Sequence, residues 1–266
     1  MSFFCNLLLI NTKLHLKFVI IAKYTYFMKR ILAGITFACF IMLLFTTQAS
    51  LSSCTKEKII HDTTIIVKND TTVIIQRDTI KLILAPCDNP DEGNVNSYYP
   101  TSNGSGGEQL TVSAWTHNGS PENARIYLNF DYSQLPVNPI IISAKLSLYA
   151  TTTPGAGNYI DAQFGTANAA YIQRITSTWP IAALNWNSQP TTTTENQVTI
   201  PQSTSSFEDN IDMDVTTLFR DMLSNGNYGF AIKLQSETIY NIRQYVSSFS
   251  TDHDKHPVLI IDYKKQ

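Results

Sequence analysis

Charged residues are scarce in this chain of 266 amino acids, at 15% of the sequence, against roughly 25% in an average soluble domain. The 19 Lys and Arg residues nearly balance the 21 Asp and Glu residues, and the formal net charge is -2 at pH 7. Such a chain has no basic field to attract phosphate groups. The composition therefore argues against nucleic acid as a partner.

The sequence also lacks the short motifs that identify common enzyme classes. It contains no G-x-S-x-G nucleophile elbow, no H-E-x-x-H zinc helix and no G-x-x-x-x-G-K-[ST] phosphate loop. A glycosidase or lyase needs a placed acid and base. No such pair is marked by the spacing of the scattered glutamates, Glu108, Glu122, Glu195, Glu208 and Glu237. We therefore predict that the protein is not an enzyme.

Cysteine is rare, with four residues, and one of them, Cys54, directly follows a secretion signal. Met28 is followed by two basic residues, an apolar segment over residues 31–45 and small residues that end at Ser53, which is the anatomy of a signal peptide. Residues 1–27 are interpreted as an extension upstream of the true start. The alternative is a transmembrane anchor in this extension, but lysines interrupt it short of the roughly 20 apolar residues that a span needs.

The segment LSSC at residues 51–54 resembles a bacterial lipobox. This resemblance implies that the signal peptide, residues 28–53, is removed and that Cys54 is diacylated, so that lipid chains hold the protein to a membrane. The alternative is an ordinary signal peptidase site near Ala49. Cys54 would then stay a thiol that could pair with Cys87 in an oxidising compartment.

Three copies of an eight-residue pattern follow, HDTTIIVK, NDTTVIIQ and RDTIKLIL, each with Asp in second place. An even period keeps the same residues on the same side of an extended chain, and the Thr, Ile and Val that fill it favour extended structure over helix. We interpret residues 54–87 as the lipidated N-terminus and an extended, Thr-rich stalk. In a sharper hypothesis, the stalk pairs with copies from neighbouring chains and the protein self-associates.

Residues 88–266 are predicted to form one all-β domain. Apolar and polar residues alternate over residues 126–130 and 142–148, as in half-buried strands. The connection between them is too long and too rich in Pro for a tight hairpin, so we expect the chain to cross from one sheet to another. Further strands are predicted at residues 109–114, 159–164, 170–175, 228–234, 240–249 and 258–263.

One short helix is predicted near residues 218–223. Asp214 or Thr216 is available as its N-cap, and Gly226 follows as its stop. The two tryptophans at positions 179 and 186 are interpreted as core residues rather than as a sugar platform.

An acidic cluster opens the domain. Asp88, Asp91 and Glu92 offer oxygen atoms of the kind that ligate calcium, although their spacing matches no loop with defined ligand positions. An Asp- and Asn-rich turn is the other interpretation. We expect no cofactor, with a structural calcium ion as the one candidate.

Several segments, taken in order, resemble the DNRLRE domain family, which overlaps a group of jelly-roll carbohydrate-binding modules. They are RIYLNFDYSQLP, IIISAKLSLY, TWPIAALNWNSQP, DVTTLFRDML with NYGFAIKL, and SSFSTDHDKHPVLIIDY. The resemblance covers residues 91–263 and implies a jelly-roll β-sandwich on secreted or cell-wall proteins, often appended to polysaccharide-degrading enzymes. Asn185 and Asp252 depart from the family pattern, which concerns packing and loop polarity and leaves the ligand open.

The lipobox and the Thr-rich stalk also look like those of Bacteroidetes lipoproteins. Together with the resemblance, they predict a non-catalytic outer-membrane lipoprotein that binds extracellular polysaccharide. A single acidic residue, Glu57, lies just after Cys54, where surface-export signals tend to carry two; we expect display on the cell surface, with the periplasmic face as the alternative.

Aromatic rings stack on sugar faces, and arginine hydrogen-bonds hydroxyl or carboxylate groups. The candidate sugar contacts are Tyr98, Tyr99, Trp115, Tyr159, Arg243 and Tyr245. The alternative function is a structural or adhesive surface protein without glycan binding.

Overall fold

The computed structural model describes residues 55–68, 71–84 and 91–266. The strands are β1 Thr55–Lys68, β2 Thr71–Leu84, β3 Glu92–Asn96, β4 Gln109–His117, β5 Ser120–Leu128, β6 Ile140–Leu148, β7 Gln163–Phe164, β8 Ala170–Ile175, β9 Thr192–Ile200, β10 Asn210–Asp214, β11 Phe230–Leu234, β12 Asn241–Val246 and β13 Val258–Lys264. An α-helix, α1, spans Thr216–Asn225, and 3-10 turns lie at Ile181–Ala183, Trp186–Ser188 and His253–Lys255. The predicted all-β class with one short helix is confirmed.

The strands form two antiparallel sheets. One has the order β1-β2-β13-β6-β10, and the other has the order β7-β12-β4-β5-β11-β8-β9 with β3 paired to β5. Apolar side chains of both sheets meet in one core, for example Leu146 and Ile261 from the first sheet and Val112 and Ile232 from the second. The domain is therefore a β-sandwich, as the sequence predicts.

The segment between β5 and β6 crosses the sandwich. β5 belongs to the second sheet and β6 to the first, so the connection over residues 129–139 leads from one layer to the other, as its length and prolines predict. Along β6, Ala144, Leu146 and Leu148 are buried in the core, whereas Ser143 and Lys145 on the other face are partly exposed. The pattern is imperfect, since Ser147 on that other face is also buried and Ile142, predicted to point inward, is exposed. From Ser143 to Leu146, the alternation in the sequence therefore matches the alternation of the two faces of the strand.

The eight-residue repeats form a hairpin whose second strand belongs to the sandwich. β1 pairs with β2 from Thr55 opposite Leu84 onwards, and the end of β2 pairs with β13. Ile80, Leu82 and Leu84 are buried in the main core. The end of the third repeat thus lies inside the domain, whereas the sequence predicts a stalk over all of residues 54–87. Period-two alternation suits a free extended chain and a sheet strand equally, so it does not separate the two.

Several strands differ from the prediction for their segments, and β9 Thr192–Ile200 and β10 Asn210–Asp214 are not among the predicted strands. β3 is not among the predicted strands, because its sequence EGNVN holds one apolar side chain, Val95, and little β propensity. It forms because its backbone pairs with β5. β7 is two residues long, shorter than the strand predicted over residues 159–164.

The helix ends at the residue that the sequence indicates. Gly226 caps its C-terminus with a φ of 100°, a conformation that glycine adopts without a steric penalty. At the other end, the Asp214 carboxylate accepts the backbone N–H of Thr216 at 2.9 Å, and Val215 occupies the N-cap position. Leu218 and Phe219 bury the apolar face in the main core.

The predicted signal peptide, Cys54, Cys87 and Asp88 lie outside the described residues, and what the sequence predicts for them stays a prediction. Within the residues that the structure describes, no helix combines the length and the apolar character needed to cross a membrane.

Candidate functional site

An open cleft of about 290 Å³ lies on the second sheet, where β3, β4, β5 and β12 meet the loops of residues 97–108 and 149–162. Its lining combines aromatic, amide and hydroxyl side chains with one carboxylate. The lining residues are Asn94, Asn96, Tyr99, Ser102, Asn103, Gly104, Thr111, Ser113, Trp115, Glu122, Ala124, Ala156, Gly157 and Ile242. Apolar surface with a few convergent polar groups is typical of a ligand site.

Trp115 on β4 is the largest side chain of the cleft. Its ring meets Tyr240 edge to face at 5.2 Å between centroids and Phe164 at 5.7 Å, and such contacts fix the orientation of the indole. Among the residues that the structure describes, none accepts a hydrogen bond from the indole N–H. Trp115 therefore offers the cleft both a positioned ring and a free donor.

The loop of residues 149–162 comes close to Trp115 because it has glycine at position 157. Gly157 has a φ of +62°, and a Cβ atom there would lie 2.7 Å from Ile242 Cδ1 and 3.3 Å from Trp115 Cδ2. The buried Gln244 side chain holds the same loop: its Oε1 accepts the N–H of Ala156 at 3.0 Å, and its Nε2 donates to the carbonyl of Ala156 at 3.1 Å. Sequence reasoning missed Gln244, since an amide in a strand gives no signal of the loop that it fixes.

The opposite wall is the loop of residues 97–108, which is fixed on β3. A Cβ atom at Gly104 would lie 1.4 Å from the carbonyl oxygen of Asn94, and the Asn94 N–H donates to the Gly104 carbonyl at 2.9 Å. The Asn94 side chain bridges to β4, since its Nδ2 donates to Gln109 O at 2.9 Å and its Oδ1 accepts Thr111 N–H at 2.7 Å. Both walls of the cleft are therefore fixed by hydrogen bonds.

An aromatic group extends the cleft beyond Trp115. The Tyr99 hydroxyl lies 3.1 Å from His117 Nε2, and the Tyr98 ring packs on His117 at 4.2 Å between centroids. His117 follows Trp115 by two residues on β4, so both side chains project from the same side of the strand. We call Tyr98, Tyr99, His117, Trp115, Phe164 and Tyr240 the aromatic row.

Glu122 is the carboxylate of the cleft and was not among the predicted contacts. It lies opposite Trp115 in the pairing of β4 with β5. One oxygen, Oε2, accepts Asn96 Nδ2 at 3.1 Å and lies 4.0 Å from His117 Nδ1. No Lys or Arg stands among the residues that line the cleft.

The structure brings two of the predicted sugar contacts together and leaves two others near or outside the cleft. Tyr99 and Trp115 both line it. Tyr98 is 37% exposed and adjoins Tyr99 through an edge-to-face contact at 5.0 Å. Tyr159 is 69% exposed and lies in the loop of residues 149–162 without lining the cleft.

Arg243 and Tyr245 require a correction, because both side chains are wholly buried. The guanidinium of Arg243 donates to Asn168 O at 2.5 Å, to the carbonyl of Pro201 and to Asn210 Oδ1 at 3.1 Å. The Tyr245 hydroxyl donates to Asn210 Oδ1 at 2.6 Å, and burial raises its pKa. These residues tie loops to the core and do not reach a ligand.

Of the calcium candidates in the described chain, Glu92 is buried and Asp91 is exposed. The Glu92 carboxylate accepts the backbone N–H of Ser248 at 2.5 Å and its hydroxyl at 2.8 Å, and burial raises the pKa of this carboxyl group. Across the described residues, no group of three or more His, Cys, Asp or Glu side chains could hold a metal ion. Calcium stays a prediction.

No curated protein shows significant similarity to the chain. The model of carbohydrate-binding module family 96 matches residues 91–263, the stretch that runs from β3 to β13 and contains every residue of the cleft. The resemblance to carbohydrate-binding modules is therefore confirmed over the same residues, while the DNRLRE name stays a prediction. The chain belongs to carbohydrate-binding module family 96.

Proposed function

We propose that the protein is a non-catalytic binding protein that holds an extracellular polysaccharide in the cleft. One observation carries the proposal: Trp115 and Tyr99, from different segments of the chain, line the same cleft inside the stretch that matches a carbohydrate-binding module family.

Binding follows from the chemistry of the lining. The C–H faces of a sugar ring pack against the Trp115 ring, and the indole N–H is free to donate to a sugar hydroxyl. The hydroxyl groups of Ser102, Thr111 and Ser113 have no hydrogen-bond partner among the described residues. Each of these hydroxyls can donate or accept, as sugar hydroxyls require.

A polymer suits the site better than a single sugar because the aromatic row is long. Trp115 and His117 are successive same-side residues of β4, with Tyr99 beyond one and Tyr240 beyond the other. From Tyr99 to Tyr240 the row extends on the order of 15 Å. Several sugar rings of one chain would lie along it.

The single carboxylate supports binding without catalysis. Hydrolysis of a glycosidic bond ordinarily uses two carboxyl groups on either side of the scissile bond. Glu122 is the one acidic side chain among the residues that line the cleft.

The test is the affinity of the full chain for a panel of polysaccharides, measured by affinity electrophoresis and calorimetry. We expect Trp115→Ala to weaken binding at least about tenfold, which corresponds to about 1.4 kcal/mol, and Tyr99→Ala to weaken it less. The matched control is Tyr171→Ala, since Tyr171 is a half-buried aromatic residue of the same sheet on β8, a strand without residues in the cleft. Full affinity in Trp115→Ala, or no binding of any polysaccharide by the wild type, would refute the proposal.

We further propose that lipid on Cys54 anchors the protein to the outer membrane, with the domain outside the cell. The support is the LSSC segment directly after an apolar stretch and small residues. Cys54→Ala is expected to move the protein from the detergent phase to the aqueous phase in Triton X-114 partition, and Cys87→Ala to leave it in the detergent phase. Protease added to intact cells separates surface display from the periplasmic face.

A further inference from the structure

We propose that two copies of this chain dimerise through β1, with residues 62–68 of each copy paired antiparallel across a two-fold axis. The proposal gives the self-association predicted from the repeats a definite surface and a definite register. It does not depend on the proposed function, since β1 lies outside the stretch that matches the binding-module family.

The outer edge of β1 is the first observation. β1 is the terminal strand of the first sheet, and in the part of the chain that the structure describes it pairs with β2 alone. The backbone N–H and C=O groups on its other side are therefore open to pairing with a further strand. The neighbouring strand β2 has less open edge, because its residues 80–84 already pair with β13.

The hairpin of β1 and β2 extends beyond the sandwich. Of its fourteen residue pairs, the five from Thr55–Leu84 to Ile59–Ile80 lie beside β13, and no described strand pairs with the remaining nine. These nine pairs make a two-stranded ribbon roughly 30 Å long. An isolated two-stranded ribbon is marginally stable in water, so further strands would stabilise this one.

The far part of β1 lacks the features that keep edge strands from associating. Residues 63–67 have the sequence TTIIV, with no proline, glycine or charge. The pairing with β2 runs through them without a register shift, so no β-bulge interrupts the strand. Thr, Ile and Val are residue types that favour β structure. This segment is therefore suited to pairing with another strand.

The charges on either side of the segment select a second copy as the partner. Asp62 precedes the uncharged residues and Lys68 follows them. In an antiparallel pair centred on Ile65, Asp62 of each copy lies opposite Lys68 of the other copy. Opposite charges in directly opposed positions stabilise a pair of strands. The segment is therefore complementary to itself, as a two-fold interface requires.

Other registers of the two strands fit less well. If the strands overlapped over their whole length, the charged residues 56–58 would lie opposite the apolar residues 65–67, and a shift by one residue would separate Asp62 from Lys68 of the second copy. The proposed overlap also ends at Asp62, three residues before Ile59, the nearest residue of β1 beside β13. The two sandwiches therefore lie at opposite ends of the combined sheet.

The test is the association of the purified full chain in mild detergent, measured by sedimentation velocity over a range of concentrations at low ionic strength. We expect a dimer that dissociates on dilution. Asp62→Lys and Lys68→Asp should each weaken dimerisation about three- to tenfold, because each substitution places like charges opposite each other twice in a dimer. High salt should reduce the difference from the wild type.

The double variant Asp62→Lys/Lys68→Asp should recover dimerisation, since it restores both pairs of opposite charges. Within one chain, Asp62 lies opposite Arg77 and Lys68 lies opposite Thr71, so this recovery is specific to contact between two copies. The matched control is Lys58→Asp, which makes the same change of charge on β1 outside the overlap and should leave dimerisation unchanged.

A second measurement does not depend on charge. Ile65→Cys places a thiol at the two-fold axis, where it lies opposite the same thiol of the second copy. In a Cys87→Ala background, we expect a short bis-maleimide to link two copies of this variant. Ile74→Cys is the control, because Ile74 lies opposite Ile65 on β2 within the hairpin, and it should cross-link no more than the background.

A wild-type chain that stays monomeric at every concentration overturns the proposal. Cross-linking through Ile74→Cys instead of Ile65→Cys also overturns it, because β2 would then form the interface. A dimer that the single charge reversals leave unchanged overturns it as well. If Asp62→Lys does not fold, Lys68→Asp and the cross-linking of Ile65→Cys decide.

Discussion

Glu92 shows how one buried acidic side chain couples the fold to pH. Its carboxylate is enclosed at the start of β3 and is held by Ser248, which follows β12. Burial opposes the charged form more than the two hydrogen bonds favour it, and the pKa rises above the ordinary 4.5. At pH values between 4.5 and the higher folded pKa, Glu92 therefore holds a proton in the folded state that it has lost in the unfolded state.

The raised pKa of Glu92 makes the free energy of unfolding depend on pH. The contribution of Glu92 is fully present below its unfolded pKa of 4.5 and is lost as pH rises through the higher folded pKa. We expect Glu92→Gln to gain stability relative to the wild type as pH rises from 4.5 to neutral, in urea unfolding at a series of pH values. Glu108→Gln, at an exposed position, controls for the loss of one acidic group. Parallel curves for wild type and Glu92→Gln would contradict the expectation.

Gly157 is the residue that lets a loop approach Trp115, and its replacement should affect the cleft. Gly157→Ala places a Cβ 2.7 Å from Ile242 Cδ1 at a positive φ, a conformation that costs an L-residue about 1–2 kcal/mol. We expect lower stability by about that amount and weaker glycan binding. Gly106→Ala is the matched control, since Gly106 also has a positive φ but meets nothing within 4 Å of the added Cβ. Equal loss of affinity in both variants would show that the contact with Trp115 and Ile242 is unimportant.

At the scale of elements, β2 joins the repeat segment to the sandwich. Its pairing with β13 is reinforced by an ion pair between Lys81 Nζ and Asp262 Oδ1 at 3.2 Å. The opposite face of the strand carries Leu82 and Leu84, each 1% exposed. The eight-residue repeats have a similar composition throughout, yet the end of the last repeat lies in a core strand, β2.

The core role of β2 predicts a large mutational effect. Leu82→Ala should destabilise the domain by about 2–5 kcal/mol, the usual cost of removing a fully buried leucine side chain, measured by urea unfolding. Ile83→Ala, at the next residue and on the partly exposed face, should cost clearly less. If both variants cost the same small amount, β2 is not a core strand in solution.

At the scale of the whole molecule, the stretch that matches the family model and the compact unit of the structure begin at different residues. The match begins at residue 91, while the compact unit of the structure is residues 53–266. The hairpin of β1 and β2 accounts for the difference, and without it β13 would become the edge of the first sheet.

We therefore expect a fragment of residues 91–266 to be less stable than one of residues 54–266. It lacks three buried apolar side chains of β2, each contributing roughly 1.5–3 kcal/mol, and it exposes the unpaired edge of β13 to association. Urea unfolding and sedimentation velocity measure both effects. If the two fragments are equally stable and the shorter one is a monomer, the result would instead favour the interpretation of the whole repeat segment as a stalk.

The sequence by itself determined the two-sheet plan of this protein. Alternating residues in β5 and β6, the long proline-bearing connection between them and the glycine after α1 are local signals, because side-chain alternation and backbone conformation depend on a few neighbouring residues. The family resemblance rests on the same local patterns and covers the same residues as the match to the binding-module family.

Only the tertiary structure decided which side chains meet in the cleft. All six residues of β12 are buried, so the strand has no alternation of buried and exposed positions that would distinguish its two faces. Only the fold shows that Arg243 and Tyr245 face the core while Ile242 lines the cleft. Likewise, Trp115 meets Phe164 and Tyr240 only because β4, β7 and β12 are neighbours in one sheet. Pairing between distant strands sets these contacts, and period-two alternation gives each strand two faces without stating what either face will touch.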